Sequence, residues 1–387
     1  MDPLQQAGTA AMRATDTEAL ERLFGSADDL LPLWIAEPYV PLAPEIVAAV
    51  TNRAAEGWYG YETRPPEILA AFWNWMDRRH NWLGTGLEVS VSPSVGTSIG
   101  AVIEMVTDPG DGVILQPPVF TDFKPLIRRQ KREPVRNSLV LSDGRYTMDF
   151  EGLAHLASVP ENKVMILCNP HNPVGRVWDE DELGQISSIC AANDVLVVAD
   201  EIHADLALRP YRFTPFAKAA QDSGVRWASI HGPIKTFGIA GLADTFLITD
   251  DADIAQGFRS LSKRMHLTRN NVFGLAATKA GYEHGDAWVD QLLDQVMANL
   301  DTLKDGLPEG VELISSEATY LAWLDFRQLG LEVPELSSWL SKEASLALSP
   351  GHWFGREGAG FARMSIAVNG AVINDAVDRI RSAVDRI

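Results

Sequence analysis

The chain has 387 residues, of which 33 are basic and 52 acidic, for a formal net charge of −19. Such a charge repels phosphate backbones and anionic lipid, so nucleic acid and membrane partners are not expected. The length suits two packed units, and two cysteines in apolar surroundings, Cys168 and Cys190, suggest neither a disulfide framework nor a thiolate metal site.

The first 24 residues, MDPLQQAGTAAMRATDTEALERLF, have no basic patch followed by an apolar core. They resemble neither a secretory signal nor a membrane anchor, which points to the cytoplasm. The eight histidines show no HExxH or paired metal spacing. SPSVGTSIGAVI, residues 92 to 103, passes from glycine and small hydroxyl residues straight into a helix with apolar positions at Ile99, Val102, Ile103 and Val106. Free backbone N–H groups at the positive end of that helix make a phosphate seat. Short apolar runs at Val113 to Leu115, Val164 to Leu167, Val195 to Ala199, Trp227 to Ile230 and Thr245 to Ile248 read as buried parallel strands. A helix carrying Leu183, Ile186 and Cys190 opens at the acidic run 179 to 182. This alternation predicts an α/β fold with a mostly parallel sheet.

The pattern changes near residue 285. Val289, Leu292, Leu293, Val296, Leu300 and Leu303 mark one long amphipathic helix, TYLAWLDF (319 to 326) reads as a strand, and Ile373, Val377, Ile380 and Val384 mark a closing helix. The expected organisation is a large domain over 46–285, a smaller α+β domain over 286–387, and an N-terminal segment, 1–45, packing with the small domain.

Ligands of open α/β sheets sit beyond the carboxyl ends of the strands. Asn172, Asp200 and Lys235 all fall just after such ends. An amine, a carboxylate, an amide and a phosphate seat at one sheet edge are what pyridoxal 5'-phosphate requires: a lysine for its aldehyde, an acid for its pyridine nitrogen and a donor for its phenolic oxygen. CNPHNPVGRVW (168 to 178), ADEIHADL (199 to 206), KTFGIAGL (235 to 242), ATYLAWLDF (318 to 326) and LSPGHWFG with GFARMSIAV (348 to 368) follow in order. On these motifs the chain resembles the fold-type I pyridoxal-phosphate enzymes, within them the cystathionine β-lyase-like group that is related to class I and II aminotransferases and includes bacterial carbon–sulfur lyases.

The resemblance implies the fold-type I architecture, with a seven-stranded type of sheet in the large domain. It implies that Lys235 forms the Schiff base and shuttles protons, that Asp200 pairs with the pyridinium, and that Asn172 and His203 flank the phenolic oxygen. Gly96 and Thr97 would contact the phosphate, and Phe120 would stack on the ring. Tyr61 would reach the phosphate of a neighbouring subunit, which implies a homodimer with shared active sites. Arg363 would grip the α-carboxylate of a small amino-acid substrate, with Ala36 and Trp353 in the substrate wall. Three stretches depart from the usual pattern. Phe120 stands where a tyrosine is common, AEPYV (36 to 40) replaces ADMDF, and Ile234 and Gly238 replace a small hydroxyl residue and an asparagine. Thr236 and His231 then stand as substitutes for the lost phosphate contacts. The resemblance favours β-elimination from a cysteine S-conjugate or cystathionine-like thioether, giving thiol, pyruvate and ammonia. Transamination stays open, as does a decarboxylating or oxidative variant in natural-product tailoring of the lincosamide type. A non-enzymatic regulatory binder is the weakest reading, because the acidic charge opposes a direct role on nucleic acid.

Overall fold

A computed structural model describes residues 12–267 and 269–387. Its central sheet has seven strands: β1 (Glu88–Ser92), β2 (Gly112–Leu115), β3 (Glu133–Arg136), β4 (Asn162–Cys168), β5 (Leu196–Asp200), β6 (Trp227–His231) and β7 (Thr245–Thr249). They lie in the order β1-β7-β6-β5-β4-β2-β3, and the pairings from β6 through to β3 are parallel. The inner strands read as unbroken apolar runs because both faces are covered. Val164, Ile166, Val198, Ile230 and Leu247 pack into one core, and Met165, Leu167, Val197, Trp227 and Ile248 into another on the opposite face.

One strand departs from expectation. β7 runs antiparallel to both β6 and β1. A parallel return needs a crossover element, whereas the link from β6 to β7 holds only the single-turn helix Pro233–Thr236. The edge strands β1 and β3 are absent from the apolar runs because they are polar or carry Pro134, as sheet edges commonly do.

The small sheet contains β8 (Glu312–Leu313), β9 (Leu321–Asp325), β10 (Ser349–Pro350) and β11 (Phe361–Ser365), antiparallel in the order β8-β9-β11-β10. The long helix Asp286–Gly306 and the closing helix Gly370–Val384 pack against each other, with Val296, Leu303, Ile373 and Ile380 fully buried. From residue 12 onward the N-terminal segment runs beside this unit, while residues 1–11 of the expected segment lie outside the described residues. Leu31–Pro32 pairs in parallel with Leu346–Ala347, the Ser365 amide donates to the Leu33 carbonyl at 2.8 Å, and the Tyr39 amide donates to Ala367 at 2.8 Å. No helix among the described residues is long and apolar enough to cross a membrane.

A strap at 316–319 ties the two sheets together. The amides of Glu317 and Ala318 donate to the Gly175 carbonyl at 2.8 and 2.9 Å, and Thr319 donates to Leu206 at 2.7 Å. Gly175 has φ +70°, and a Cβ there would come within 3.3 Å of the strap backbone, so glycine serves both the turn and the close approach. The fully buried Glu317 carboxylate accepts from Arg176 Nε at 2.9 Å, from Arg145 Nε at 2.6 Å and from the Val177 amide at 3.0 Å. Arg176 also reaches Glu182 at 2.8 Å and lies 4.4 Å over the Trp178 ring. Removing one member of a buried, hydrogen-bonded ion pair costs about 3–5 kcal/mol. Glu317→Gln is therefore expected to lower the urea midpoint by a corresponding amount at unchanged m value, and Glu317→Leu with Arg176→Met to recover a large part of the loss. A midpoint within error of wild type for the single variant would show that the network does not hold the strap.

Candidate active site

The candidate residues enter the site from four directions. Asp200 is the last residue of β5, paired with Cys168 and Ile230 at the matching ends of β4 and β6. Lys235 sits five residues beyond Ile230 in the one-turn helix Pro233–Thr236. Asn172 lies in the loop after β4, and Arg363 is the central residue of β11, opposite Trp323 and Ser349.

The lysine amine donates to the Ala36 carbonyl at 2.7 Å, so the N-terminal segment fixes its direction. Burial lowers the Lys235 pKa to about 8, and the Arg363 charge pushes the same way, against Glu37 and Asp200. Asp200 is raised to about 7 by burial, although the Ile202 amide donates to it at 3.2 Å and the Lys235 charge opposes the rise. His203 is buried and held well below its ordinary range by desolvation and by the Lys235 and Arg363 charges. Its Nδ1 has no partner among the described residues.

Arg363 is buried with no carboxylate within ion-pairing distance among the described residues. Its Nη1 donates to Asn172 Oδ1 at 3.0 Å, its Nη2 to the Trp34 carbonyl at 2.9 Å and to Ser349 Oγ at 3.3 Å, and its guanidinium lies 4.8 Å over the Phe354 ring. A guanidinium has five N–H groups. Three are used, and Nε is among the orphaned buried atoms. Burial pulls its pKa down to about 10.

The expected phosphate seat falls at the start of the helix Val95–Val106. Ser94 caps it, accepting from the Thr97 amide at 3.1 Å, and the Ser98 amide takes the Ser94 carbonyl at 3.1 Å. The amides of Val95 and Gly96 are left without an intrahelical acceptor. A Cβ on Gly96 would meet nothing nearer than Ser94 Oγ at 3.9 Å, so the helix end is open. Thr97 Oγ1 lies 2.9 Å from Ser94 Oγ.

The remaining candidate residues make contacts of their own. Phe120 packs edge-on against Phe123 at 5.4 Å, and Trp353 lies 6.1 Å from Phe24. Tyr61 is 86% exposed with Arg269 5.6 Å from its ring, on the surface of this chain. The two substitutes for phosphate contacts are committed to the interior instead. Thr236 Oγ1 donates to the buried carboxylate of Asp205 at 2.6 Å, and the His231 ring packs beside Trp82 and Phe72 with its Nε2 2.9 Å from Glu201. Among the described residues no group of three or more histidine, cysteine or acidic side chains is placed to hold a metal ion.

The profile of the family described as Aminotransferase class I and II matches residues 29–380. The chain belongs to that family. Among relatives of this aminotransferase-family chain, the cystathionine beta-lyase PatB of Bacillus subtilis is 35% identical over 366 residues, 94% of each chain. Protein MalY of Escherichia coli is 30% identical over 347 residues, 88% of each. Cystalysin from Treponema denticola, whose crystal structure contains pyridoxal 5'-phosphate, superposes with a TM-score of 0.88 at 29% identity, covering 93% of this chain and 92% of that one. A carbon–sulfur lyase from Staphylococcus hominis gives 0.85 at 26% identity, covering 92% and 93%.

Three further members of the site lie within the motifs quoted above, which gave them no role of their own. Asp205 anchors the lysine turn, accepting from Trp75 at 2.8 Å and from Thr236, with His80 Nε2 2.7 Å away. Tyr320 places its hydroxyl 3.3 Å from the Lys235 carbonyl. Tyr39 is buried, its hydroxyl has no hydrogen-bond partner among the described residues, and burial together with Glu37 raises its pKa. Two departures from the common motif also meet: Gly238 has φ +68°, and a Cβ there would fall 2.6 Å from Pro38 Cγ. Asparagine tolerates a left-handed backbone, so Gly238→Asn isolates the clash, which should cost about 1–3 kcal/mol as overpacking does. Pro38→Ala in the same chain should restore most of that stability. Additive unfolding free energies in the double-mutant cycle would show that the two positions are independent.

Proposed function

We propose that the protein cleaves the carbon–sulfur bond of cysteine thioethers by β-elimination, as a cystathionine β-lyase-like enzyme dependent on pyridoxal 5'-phosphate. The observation that carries this reading is a trio brought together between the two sheets: a half-buried low-pKa amine and a buried, desolvated carboxyl at the edge of the large sheet, and a buried guanidinium with unused donors from the small sheet. The cofactor fits the residues present, since the open helix end at Val95 and Gly96, the unpartnered His203 Nδ1 and the sparsely bonded Asp200 are groups awaiting a polar ligand. When bound, pyridoxal phosphate supplies an electron sink for the pair released at Cα.

In this reading Lys235 holds the aldehyde and then carries the Cα proton, a task suited to an amine whose pKa burial has brought to about 8. Asp200 would pair with the pyridine nitrogen, Asn172 and His203 would hydrogen-bond the phenolic oxygen, Gly96 and Thr97 would hold the phosphate, and Phe120 would pack on the ring. Arg363 takes the substrate α-carboxylate on its remaining N–H groups and so orients the Cα–H bond, with Ala36 and Trp353 in the substrate wall. Tyr61, exposed beside Trp58 and Tyr59, fits a role at the phosphate of a second copy in a homodimer. Elimination is preferred to transamination because, among the curated relatives, the cystathionine beta-lyase PatB is 35% identical, against 24% for a probable N-acetyl-LL-diaminopimelate aminotransferase of the same organism.

The direct test incubates the holoenzyme with cystathionine and S-alkyl cysteines and follows free thiol and pyruvate, beside an amino-donor and keto-acid pair. Thiol and pyruvate in equal amounts are expected, and amino-group exchange alone would overturn the elimination reading. Arg363→Lys keeps the cation but not the planar fork. One lost hydrogen bond to a charged group costs about 1.5–3 kcal/mol, so a fall in kcat/KM of roughly tenfold or more is expected, with cofactor absorbance unchanged.

The lysine also predicts a pH profile. Only the neutral amine attacks an aldehyde, and the folded pKa lies below the ordinary value of 10.5. The rate at which apoprotein captures added pyridoxal phosphate, read from absorbance, should rise with pH through about 8 and level off above it. A rate still climbing in proportion to hydroxide from about pH 8.5 to about pH 9.5 would show a lysine at its ordinary value of 10.5.

A further inference from the structure

A cavity of about 530 Å³ opens beyond the ends of β2 and β3, between the short helix Phe123–Arg129 and the turn at 352–356. Its aromatic walls are Phe120, Trp353 and Phe354, and every charged side chain lining it is a base: Lys124, Arg128, Arg136 and Arg356. His352 adds a polar ring whose pKa burial lowers. In a chain with 52 acidic residues against 33 basic ones, a concave wall of one sign and the minority sign is not what composition supplies.

The cations are not equally occupied. Arg136 is paired with Glu357, which also accepts from Ser138 Oγ at 2.6 Å. Arg356 lies only 3.8 Å from the same carboxylate, with its side chain 82% exposed. Lys124 and Arg128 stand four residues apart, one turn of the same helix, with no carboxylate within 4.0 Å among the described residues. Two positive groups are thus left facing a hollow.

The hollow adjoins the candidate active site. Phe354 forms one of its walls and also lies against the Arg363 guanidinium at 4.8 Å, and the Val119 amide donates to the Phe354 carbonyl at 3.0 Å, joining the Phe120 segment to that wall. We propose that this cavity receives the group on the substrate sulfur, and that the preferred substrates are cysteine thioethers bearing a carboxylate at the far end of that group. Arg363 then takes the α-carboxylate, while Lys124 and Arg128 take the distal one. The proposal rests on the lyase reading for the identity of the bond that breaks, but its recognition element is independent of turnover.

The test compares two thioethers of matched length on the holoenzyme, S-(3-carboxypropyl)cysteine and S-butylcysteine. Binding is read from the change in cofactor absorbance within the first turnover, and cleavage from thiol and pyruvate. Exposed ion pairs are individually weak, so two together should give the carboxylated compound an advantage of roughly three- to tenfold in Kd. Raising the salt to roughly 0.5 M should shrink that advantage. Lys124→Glu with Arg128→Glu should abolish or invert it, leaving S-butylcysteine within about twofold of wild type; both side chains are exposed, and an unchanged urea midpoint confirms the fold. Equal affinity of wild type for the two compounds, or a preference that survives charge reversal, overturns the proposal. Absence of thiol and pyruvate from either compound strikes the lyase reading instead, while the affinity ratio still decides whether the cavity selects the distal carboxylate.

Discussion

Arg363 brings a full positive charge into the interior, and three separately built parts of the chain are arranged around it. Trp34 offers a backbone carbonyl from the N-terminal segment, Asn172 a side-chain oxygen from the large sheet, and Ser349 a hydroxyl from the neighbouring strand of the small sheet. Burying an ion without a counterion costs several kcal/mol. Neutral acceptors and the Phe354 face offset part of that cost, but the depressed pKa of the guanidinium records what is left. The pKa of Lys235, half-buried nearby, is lowered partly by the same charge. The guanidinium thus has no counterion among the described residues, which is consistent with the role proposed for it toward a carboxylate.

The sheet explains how such a cluster is held. Successive parallel strands end at one edge, which puts the Asp200 carboxyl and the turn after His231 side by side. The antiparallel return through β7 keeps that turn short, so Lys235 sits on a single helical turn rather than on a long mobile loop. Asp205 then fixes the turn from beneath through Thr236, the residue after the lysine, while the Ala36 carbonyl fixes the amine from above. Precision at the amine thus depends on contacts spanning roughly two hundred residues of sequence, consistent with rigid elements carrying a catalytic group.

This division between local and distant contacts governs what could be read from the chain. Inner strands such as Val164 to Leu167 were legible because burial on both faces leaves an uninterrupted apolar run, and Asn172, Asp200 and Lys235 were legible because they follow such runs. The edge strands Glu88–Ser92 and Glu133–Arg136 carry too little apolar pattern to announce themselves. The direction of β7 was misread because periodicity says nothing of orientation; only the shortness of its connection does. Glu317 and Arg176 are unremarkable charges in the sequence and form a fully buried pair in the fold. Likewise Thr236 and His231 looked available from their positions, but their partners, Asp205 and Glu201, come from a different loop.

The departures from the common motifs gain meaning from the same contacts. Pro38 and Gly238 are two hundred residues apart and touch, so neither can be weighed as an isolated substitution. A proline at 38 needs the space that a side chain at 238 would fill, and it stiffens the segment whose Ala36 carbonyl receives the lysine amine. Tyr39 follows directly, bringing a buried phenol whose pKa is raised by desolvation into a site where position 120 has none. Because a hydroxyl in that state keeps its proton across the physiological range, it is a donor and not a charge. Segment 36–40 and the loop after the lysine are thus one packed unit: the backbone that aims the amine and the turn that carries it meet at Pro38 and Gly238, and the cations of the adjoining cavity share the Phe354 wall with Arg363.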